Sequence, residues 1–191
     1  MYCVKCNRYT DSEMCPKCGS KTVEVAPHVV YWCNDCRVPI IHTPGQNRIT
    51  CPRCGGKAHY LCAGIRPVFP EERLLFEVMI GKPLAFQDNS VWAVGSKYYV
   101  NGKPSSISVA TILATDPSVI RKQLDEYGPS NTDDGFERYK NAFIEANKEH
   151  LDALVREASD FIVNASKGYP DENLVISFSG GKDSTVTADL A

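Results

Sequence analysis

Apolar side chains recur at the helical period over much of the second half of the chain. Between residues 136 and 161 they return every three to four positions, which predicts one long helix. The helix is predicted to end at residues 167–170. The segment 116–127 opens with an N-cap aspartate and a first-turn proline, and it predicts a second helix. A shorter helix is predicted at 71–80, after two prolines. Residues 128–135 are predicted to be a linker.

Runs of β-branched and aromatic residues predict strands in two regions. Segments 90–95 and 97–100 have this composition, and the pair Asn101–Gly102 after them is preferred in tight two-residue hairpin turns. We therefore expect 105–112 to be the returning strand. The run 174–178 is short, apolar and β-branched, as in a strand buried on both faces of a parallel sheet.

Eight of the nine cysteines lie in the first 54 residues as four Cys-x-x-Cys pairs. Each half of this region ends with a near-identical pair, Cys-Pro-Lys-Cys-Gly or Cys-Pro-Arg-Cys-Gly. The repeat predicts two zinc ribbons in tandem, because two such knuckles supply the four thiolates of a tetrahedral zinc site and the glycine permits the positive φ of the turn. Sequential pairing assigns one site to Cys3, Cys6, Cys15 and Cys18, and the other to Cys33, Cys36, Cys51 and Cys54.

Zinc is preferred over iron, although tetrahedral sulfur sites and iron–sulfur clusters also use cysteine. The knuckles are well separated and need no redox partner. A structural role for both zinc ions is expected, since ribbons this small cannot bury a core of their own. Cys62 stands apart from the pairs and is predicted to be a buried, inert thiol.

The charge balance gives little support to nucleic-acid binding as a general property. The formal net charge is −2, and the eight Lys/Arg and four Asp/Glu of residues 1–57 leave +4, which two zinc tetrathiolates of −2 each would cancel. A local patch of Arg37, Arg48 and Arg53 keeps a nucleic-acid partner open as an alternative. No stretch approaches the ~20 apolar residues of a membrane span, and the start lacks the apolar core of a signal peptide. We expect a cytoplasmic protein with no membrane partner.

A glycine-rich segment, 179–184, joins the predicted strand 174–178 to a final stretch with room for barely two helical turns. Its glycines let the backbone approach a phosphate, and free amides at a helix N-terminus point at the anion. The serines can donate hydroxyl groups, the lysine adds a positive charge, and the aspartate orients the lysine or helps to position a cation. The spacing differs from a Walker loop. The predicted nucleotide-binding residues are Ser179, Gly180, Gly181, Lys182, Asp183 and Ser184.

The sequence 176–185 resembles the PP-loop of the phosphoadenosine phosphosulfate reductase family and of related ATP pyrophosphatases, in the adenine nucleotide alpha hydrolase superfamily. The helical segment 147–161 is similar to the helix that leads into that domain. Segment 65–73 and the strands after it resemble a PUA-like module of RNA-modifying enzymes, and N-terminal zinc ribbons occur beside such segments in the family.

Within the PUA-like region, two kinds of side chain are expected to be structural. The arginines Arg66 and Arg73 are expected to be solvated charges at helix ends. The aromatic residues Trp92, Tyr98 and Tyr99 are expected to pack in a sheet.

The resemblance implies that an adenine nucleotide, ATP or phosphoadenylyl sulfate, binds at the carboxyl ends of parallel strands in a doubly wound domain. Two reactions are implied: reduction of phosphoadenylyl sulfate, or ATP-dependent activation of RNA or DNA for thiolation. The intact loop is more typical of the second reaction. Reductases of the family use a cysteine near their C-terminus, and no residue here matches it. The catalytic nucleophile and the redox or sulfur donor are therefore unassigned.

The third hypothesis is a non-enzymatic module whose ribbons and middle domain recognise a nucleic acid or a protein. Because only the first strand and turn of the PP-loop domain are predicted, we expect this chain to be inactive alone, and the segment 174–178 to be marginal.

The sequence thus predicts a mixed α+β, multidomain protein. Its predicted parts are zinc ribbon 1 (1–26), zinc ribbon 2 (27–62), a small α+β PUA-like domain (63–115), a helix and linker (116–135), and the start of a doubly wound α/β PP-loop domain (136–191).

Overall fold

The computed structural model describes residues 1–6, 8–23, 28–45 and 47–191, with the backbone alone at Asp171. The chain is mixed α+β and divides into two compact units, Met1–Ala146 and Asn147–Ala191. The strands, all in the first unit, are β1 (Tyr2–Cys3), β2 (Arg8–Tyr9), β3 (Val29–Cys33), β4 (Val38–His42), β5 (Arg48–Thr50), β6 (Lys57–Cys62), β7 (Arg66–Pro67), β8 (Val91–Val94), β9 (Lys97–Val100) and β10 (Lys103–Ser106). The α-helices are α1 (Pro70–Met79), α2 (Val109–Ala114), α3 (Pro117–Tyr127) and α4 (Asp134–Ala146) in the first unit, and α5 (Lys148–Ser166) and α6 (Lys182–Leu190) in the second.

The first cysteine-rich segment contains little regular structure. Strands β1 and β2 form an antiparallel pair, and backbone hydrogen bonds join Tyr2 and Val23 in both directions at 2.7 and 2.9 Å. The fully buried Tyr2 ring lies edge-on to Tyr9, with 5.2 Å between centroids. Few other side chains are buried here, so the cysteines are the main candidates for holding the segment together. The predicted boundary between the ribbons, at 26–27, lies outside the described residues.

The second cysteine-rich segment is built on a four-stranded antiparallel sheet in the order β4-β3-β6-β5. Its central strand, β3, has the sequence Val-Val-Tyr-Trp-Cys, and all five residues are buried, as suits a β-branched and aromatic run. Helix α4 packs on this sheet through Tyr139, Ala142 and Ala146, which belong to the same apolar core. The second segment therefore shares its core with a helix about a hundred residues further along the chain.

Strands β7 to β10 form a second antiparallel sheet, in the order β10-β9-β8-β7. The predicted turn at Asn101–Gly102 is confirmed, with φ values of 49° and 77°, both positive as a type I′ turn requires. The returning strand predicted at 105–112 is wrong in extent, because β10 ends at Ser106 and α2 follows. Ser108 explains the change, since its hydroxyl accepts the Thr111 N–H at 3.0 Å and caps that helix.

Helix α1, predicted at 71–80, is confirmed. Its Phe76 ring is fully buried and stacks on Tyr98 and Phe86, with centroids 4.2 and 5.8 Å away. Trp92 is also buried and donates its indole N–H to the Ser90 hydroxyl at 2.8 Å. The expected packing roles of Trp92 and Tyr98 are therefore confirmed, and Tyr99 is half-buried beside them on β9.

Arg73 is not the solvated helix-end charge that the sequence suggests. Its side chain is buried, with Nε 3.5 Å from an oxygen of the fully buried Glu77. It also donates to the Asn131 side chain and to the Thr132 carbonyl at 2.5 and 2.9 Å. Arg73 instead connects α1 to the loop before α4, whereas Arg66 is half-exposed and pairs with Glu72.

The remaining helices of the first unit follow the sequence with one correction. Helix α3 is confirmed, and its N-cap Asp116 accepts the Ser118 N–H at 2.8 Å. The single helix predicted over 136–161 is two helices, α4 and α5, because Asn147 adopts φ −116° and ψ 15°, outside helical geometry. The predicted linker 128–135 contains a short 3₁₀ turn and the first two residues of α4.

The second unit contains α5, a 3₁₀ turn at Asp171–Asn173 and α6. Helix α5 ends before Gly168, as predicted. The strand predicted at 174–178 is not formed: these residues are exposed and have no strand partner among the described residues. A buried parallel strand needs neighbours on both sides, so the composition alone cannot make one. Among the described residues, no helix is both long enough and apolar enough to span a membrane.

Candidate metal centres and glycine-rich loop

The second knuckle of each cysteine-rich segment has the same backbone geometry. In the first segment, Cys15 N–H donates to Ser20 and Gly19 N–H donates to the Cys15 carbonyl, both at 2.8 Å. In the second, the equivalent bonds run from Cys51 to Gly56 at 2.7 Å and from Gly55 to Cys51 at 2.9 Å. The predicted internal repeat is therefore present at the level of individual hydrogen bonds.

The residue that follows the second cysteine has positive φ in each of the three knuckles where the structure describes that residue. Gly19 and Gly55 have φ values of 68° and 71°, which confirms the turn predicted from their glycines. Arg37 occupies the corresponding place after Cys36 and has φ 56°. An arginine does not indicate positive φ in the way that a glycine does, so this shared knuckle geometry is seen in the structure and not in the sequence.

The first cluster consists of Cys3, Cys6, Cys15 and Cys18, whose sulfur atoms all lie within 4.8 Å of one another. The Sγ atoms of Cys3 and Cys18 are 3.5 Å apart. Cys3 and Cys15 are buried, and the other two are half-buried. The four predicted ligands are thus brought together, with one side of the cluster nearer to solvent.

The second cluster consists of Cys33, Cys36, Cys51 and Cys54, and its sulfurs are equally close. The Sγ distances are 3.5 Å between Cys33 and Cys54 and 3.9 Å between Cys36 and Cys51. Backbone amides donate to two of the sulfurs, from Cys36 to Cys33 at 3.5 Å and from Gly56 to Cys54 at 3.4 Å. Three of these four cysteines are buried, and only Cys54 is exposed.

The sulfur spacing fits a tetrahedral thiolate site. Four sulfurs bound to zinc at about 2.3 Å lie about 3.8 Å from one another in a regular tetrahedron. The observed separations of 3.5 and 3.9 Å bracket that value. Both clusters can therefore hold a zinc ion with little rearrangement, and the sequential pairing of knuckles expected from the sequence is the one found.

The fourth cysteine of each cluster has a lowered thiol pKa. The hydroxyl and the amide of Ser20 lower the pKa of Cys18 to about 6, and the Gly56 N–H lowers that of Cys54. Burial acts the other way on the first cysteines and raises the pKa of Cys3 and of Cys33. Because metals bind thiolates, the lowered pKa values of Cys18 and Cys54 favour metal binding at these two positions.

The second cluster is in contact with Arg53, one of the three arginines of the predicted local patch. Arg53 NH1 lies 3.6 Å from the Cys36 sulfur, and Arg53 Nε donates to Glu145 of α4 at 2.6 Å. Arg37 NH1 points to the hydroxyl of Tyr139, also on α4, at 3.4 Å. Two arginines of the proposed nucleic-acid patch therefore face α4, whereas Arg48 is exposed on β5.

These contacts are not visible in the sequence, because Glu145 and Tyr139 lie about ninety residues or more from the arginines they meet. One feature of the sequence does indicate the contact between Arg53 and the cluster: Arg53 lies inside a knuckle, between two predicted metal ligands. Cys62, predicted to be buried, is instead half-buried, and its thiol donates to the Gly64 carbonyl at 3.4 Å. Burial raises its pKa, which agrees with an inert thiol.

The glycine-rich loop brings two hydroxyl groups together ahead of α6. The Oγ atoms of Ser179 and Ser184 lie 3.2 Å apart, and the Ser179 N–H donates to Ser184 Oγ at the same distance. Gly180 has φ 75°, a conformation that side chains disfavour. Helix α6 begins at Lys182, earlier than predicted, and its N-cap Gly181 offers no side chain to cap the first amides.

The charged residues of the loop are almost fully exposed. Lys182 Nζ lies 2.5 Å from Asp183 Oδ1, and both side chains are close to nine-tenths exposed. An ion pair this exposed contributes little energy, so each charge is free to turn toward an incoming group. The two hydroxyls converge ahead of uncapped helix amides, and Lys182 is the first residue of that helix, an arrangement that suits a phosphate.

The chain was compared with protein-family models, with curated proteins and with solved structures. None of the three comparisons gave a match.

Proposed function

We propose that the chain belongs to a cytoplasmic PP-loop protein of the phosphoadenosine phosphosulfate reductase family, in which two structural zinc sites support a segment that binds the phosphate of an adenine nucleotide. The loop geometry carries the nucleotide part of the proposal. Ser179 and Ser184 converge in front of an uncapped helix, with Lys182 beside them. A glycine-rich loop with this arrangement is suited to an anion.

Both cysteine clusters take zinc in this proposal. The sulfur spacing supports it, and so does a reducing compartment, where paired thiols serve as metal ligands more often than as disulfides. Zinc would act by stabilising the fold, since the first segment has little core.

Metal analysis tests the zinc sites. Protein purified without chelators should contain about two zinc ions per chain. Cys36→Ser should lower the content to about one, whereas the matched variant Cys62→Ser, at a cysteine outside both clusters, should leave it at two. Zinc near zero in the unaltered protein, or equal loss in both variants, would contradict the assignment.

Nucleotide binding is tested by following backbone amide signals in solution during titration with magnesium ATP. The signals of 179–184 should shift, because the phosphate sits against these amides. Lys182→Ala should weaken binding several-fold, and Lys167→Ala, which removes an exposed lysine of the same unit, should not. Equal loss in both variants would indicate nonspecific attraction and overturn the loop assignment.

The reaction is proposed as reduction of phosphoadenylyl sulfate, with ATP cleavage as the second candidate. The intact Ser-Gly-Gly-Lys-Asp-Ser sequence favours the second. Competition between the two nucleotides in the same titration separates the candidates: preferred binding of phosphoadenylyl sulfate supports reduction, and preferred binding of magnesium ATP supports cleavage for the activation of RNA or DNA.

A further inference from the structure

The two cysteine clusters differ in what surrounds them. Among the described residues, the apolar core around β3 includes no cysteine of the first cluster. In the second, Cys33, Cys36 and Cys51 are part of the apolar core that contains Tyr139, Ala142 and Ala146 of α4. A metal bound there would lie at the junction of the sheet and a distant helix.

A tetrathiolate zinc site carries a charge of about −2, which is costly to place against an apolar core unless nearby donors compensate it. Two backbone amides donate to sulfurs of the second cluster, and Arg53 brings a guanidinium group to within 3.6 Å of the Cys36 sulfur. Of these donors, only Arg53 carries a full positive charge.

Arg53 also contacts α4 directly, because its Nε donates to Glu145 at 2.6 Å. The two side chains are 41% and 62% exposed, so this ion pair alone is too solvated to hold the helix. A guanidinium group can engage two acceptors at once in fixed geometry, which a lysine ammonium on a flexible stem cannot do as well.

The internal repeat supplies a comparison within the same chain. Lys17 occupies in the first segment the position that Arg53 occupies in the second, between the cysteines of a Cys-Pro-x-Cys knuckle. The Lys17 side chain is exposed, and no contact between it and a cysteine sulfur is found in the described part of the chain. The repeat thus holds an arginine in the knuckle that adjoins α4 and a lysine at the same place in the other knuckle.

We infer that Arg53 is a positioning residue that ties the metal of the second cluster to helix α4, so that the second metal is held more firmly than the first and its release loosens that helix. The inference rests on the proposed zinc occupancy of the second cluster. It concerns metal retention and helix docking, and it is independent of nucleotide binding.

Zinc release into excess chromophoric chelator measures the first part of the inference. We expect two phases, with the slow one assigned to the second cluster by its persistence in Cys6→Ser. Arg53→Gln should accelerate the slow phase about tenfold, as loss of a partner of a metal ligand does. The matched variant Lys17→Gln should leave both phases within about twofold of the parent. Equal effects of the two variants, or no effect of Arg53→Gln, would overturn the role of Arg53.

Two further variants keep the test decisive if Arg53→Gln folds poorly. Arg53→Lys keeps the positive charge but not the two-sided geometry of the guanidinium group. The rate of its slow phase should lie between those of the parent and Arg53→Gln. A rate equal to that of the parent would show that the bridging geometry is unnecessary. Glu145→Gln combined with Arg53→Gln should release zinc no faster than Arg53→Gln alone, since the carboxylate acts through the arginine. Additive effects would contradict this.

Hydrogen exchange on α4 measures the second part. Once the second metal has left, the amides of 139–146 should exchange at least tenfold faster than in the loaded protein, and those of α5, in the other unit, should change little. Unchanged protection of α4 after zinc loss would separate the helix from the metal and overturn the coupling. The total zinc content is determined beforehand and shows whether the second cluster contains zinc. A failure of the zinc proposal is thereby distinguished from a failure of the coupling between the metal and α4.

Discussion

Glu77 has a fully buried carboxylate on α1 that organises the loop after the helix. It accepts the N–H groups of Phe86 and Leu84 at 2.7 and 2.8 Å, in addition to its ion pair with Arg73. Burial raises the pKa of the Glu77 carboxyl despite these donors. Leu84 is held at φ 62°, a strained value for a leucine, so one side chain stabilises both a buried charge and an unfavourable turn.

Replacing Glu77 by alanine should destabilise the first unit by about 3 kcal/mol, because it leaves Arg73 without its counter-charge and two amides without an acceptor. Denaturant unfolding followed by tryptophan fluorescence measures the change. Glu71→Ala, which removes an exposed carboxylate from the first turn of the same helix, is the control and should cost under about 0.5 kcal/mol. Similar values for the two variants would show that the buried pair is not stabilising.

Zinc binding to the first cluster should weaken as the pH falls. Hydrogen bonding with Cys18 and burial raise the pKa of Cys6 to about 12, and burial raises that of Cys3, so both thiols must lose protons when zinc binds at neutral pH. Cys18 has a pKa of about 6, so it is already a thiolate at pH 7 and becomes a further proton competitor only below about pH 6.

Competition with a chelator of known affinity between pH 8 and pH 5 measures this dependence, which should steepen below about pH 6. Ser20→Ala removes the hydroxyl that lowers the Cys18 pKa, so the steep region should begin closer to neutral pH. An affinity that does not vary with pH would contradict thiolate ligation.

The residues that the sequence identified well are those whose chemistry is local. Eight cysteines at fixed spacing define two clusters with no reference to the rest of the chain, and the clusters are found as predicted. Arg73 shows the opposite case. An arginine and a glutamate four apart on a helix are typical of a solvent-exposed pair, and only the loop containing Asn131 and Thr132 makes them buried.

At the scale of elements, the hairpin between β9 and β10 is positioned by its contact with the second cysteine-rich segment. A Cβ added at Gly102 would lie 2.5 Å from the indole nitrogen of Trp32, a fully buried residue of β3. The hairpin tip therefore has no room for a side chain at this place. The other turn glycine of the same sheet, Gly95, has φ 56° and open space around its Cβ position.

Gly102→Ala should destabilise the first unit more than Gly95→Ala. Both variants place alanine at positive φ, which costs roughly 1 kcal/mol, and Gly102→Ala should add about 1–3 kcal/mol for the clash with Trp32. Thermal unfolding gives the two stabilities, and the fluorescence of Trp32 should shift only in Gly102→Ala. Equal destabilisation would indicate that the contact between hairpin and indole is loose.

Element boundaries were predictable where a cap or a turn pair is written in adjacent residues. The N-cap of α3 and the turn at Asn101–Gly102 are examples. Segment 174–178 was not predictable in this way. Its composition is typical of a strand, but a strand forms only beside neighbouring strands, and the described residues provide none for this segment. The break at Asn147 also escaped detection, because the apolar period continues through it.

At the scale of the whole molecule, the tandem repeat in the sequence conceals a difference in packing. Matched knuckles predict two equivalent ribbons, yet among the described residues it is the second that shares a core with a helix from much later in the chain. Local sequence patterns identify the metal ligands, whereas the burial of each metal site depends on contacts between segments that are distant in the sequence. Stability should therefore be distributed unevenly, with β3 and α4 at its centre.

Hydrogen exchange across the chain tests that distribution. Strand β3 is buried along its length and pairs on both sides, so its amides should exchange only through global opening of the first unit. The amides of 174–178 should exchange almost without protection, because Val175 is 88% and Phe178 64% exposed and neither belongs to a ladder.

Removal of zinc should erase the protection of β3 while leaving that of α5 unchanged, since the two lie in separate units. Magnesium ATP should act on the other unit alone, and slow exchange at 179–184 if the loop receives its phosphate. Strong protection at 174–178 in the free protein would contradict the assigned exposure. Metal and nucleotide effects that always appear together would show that the chain unfolds as a single cooperative unit.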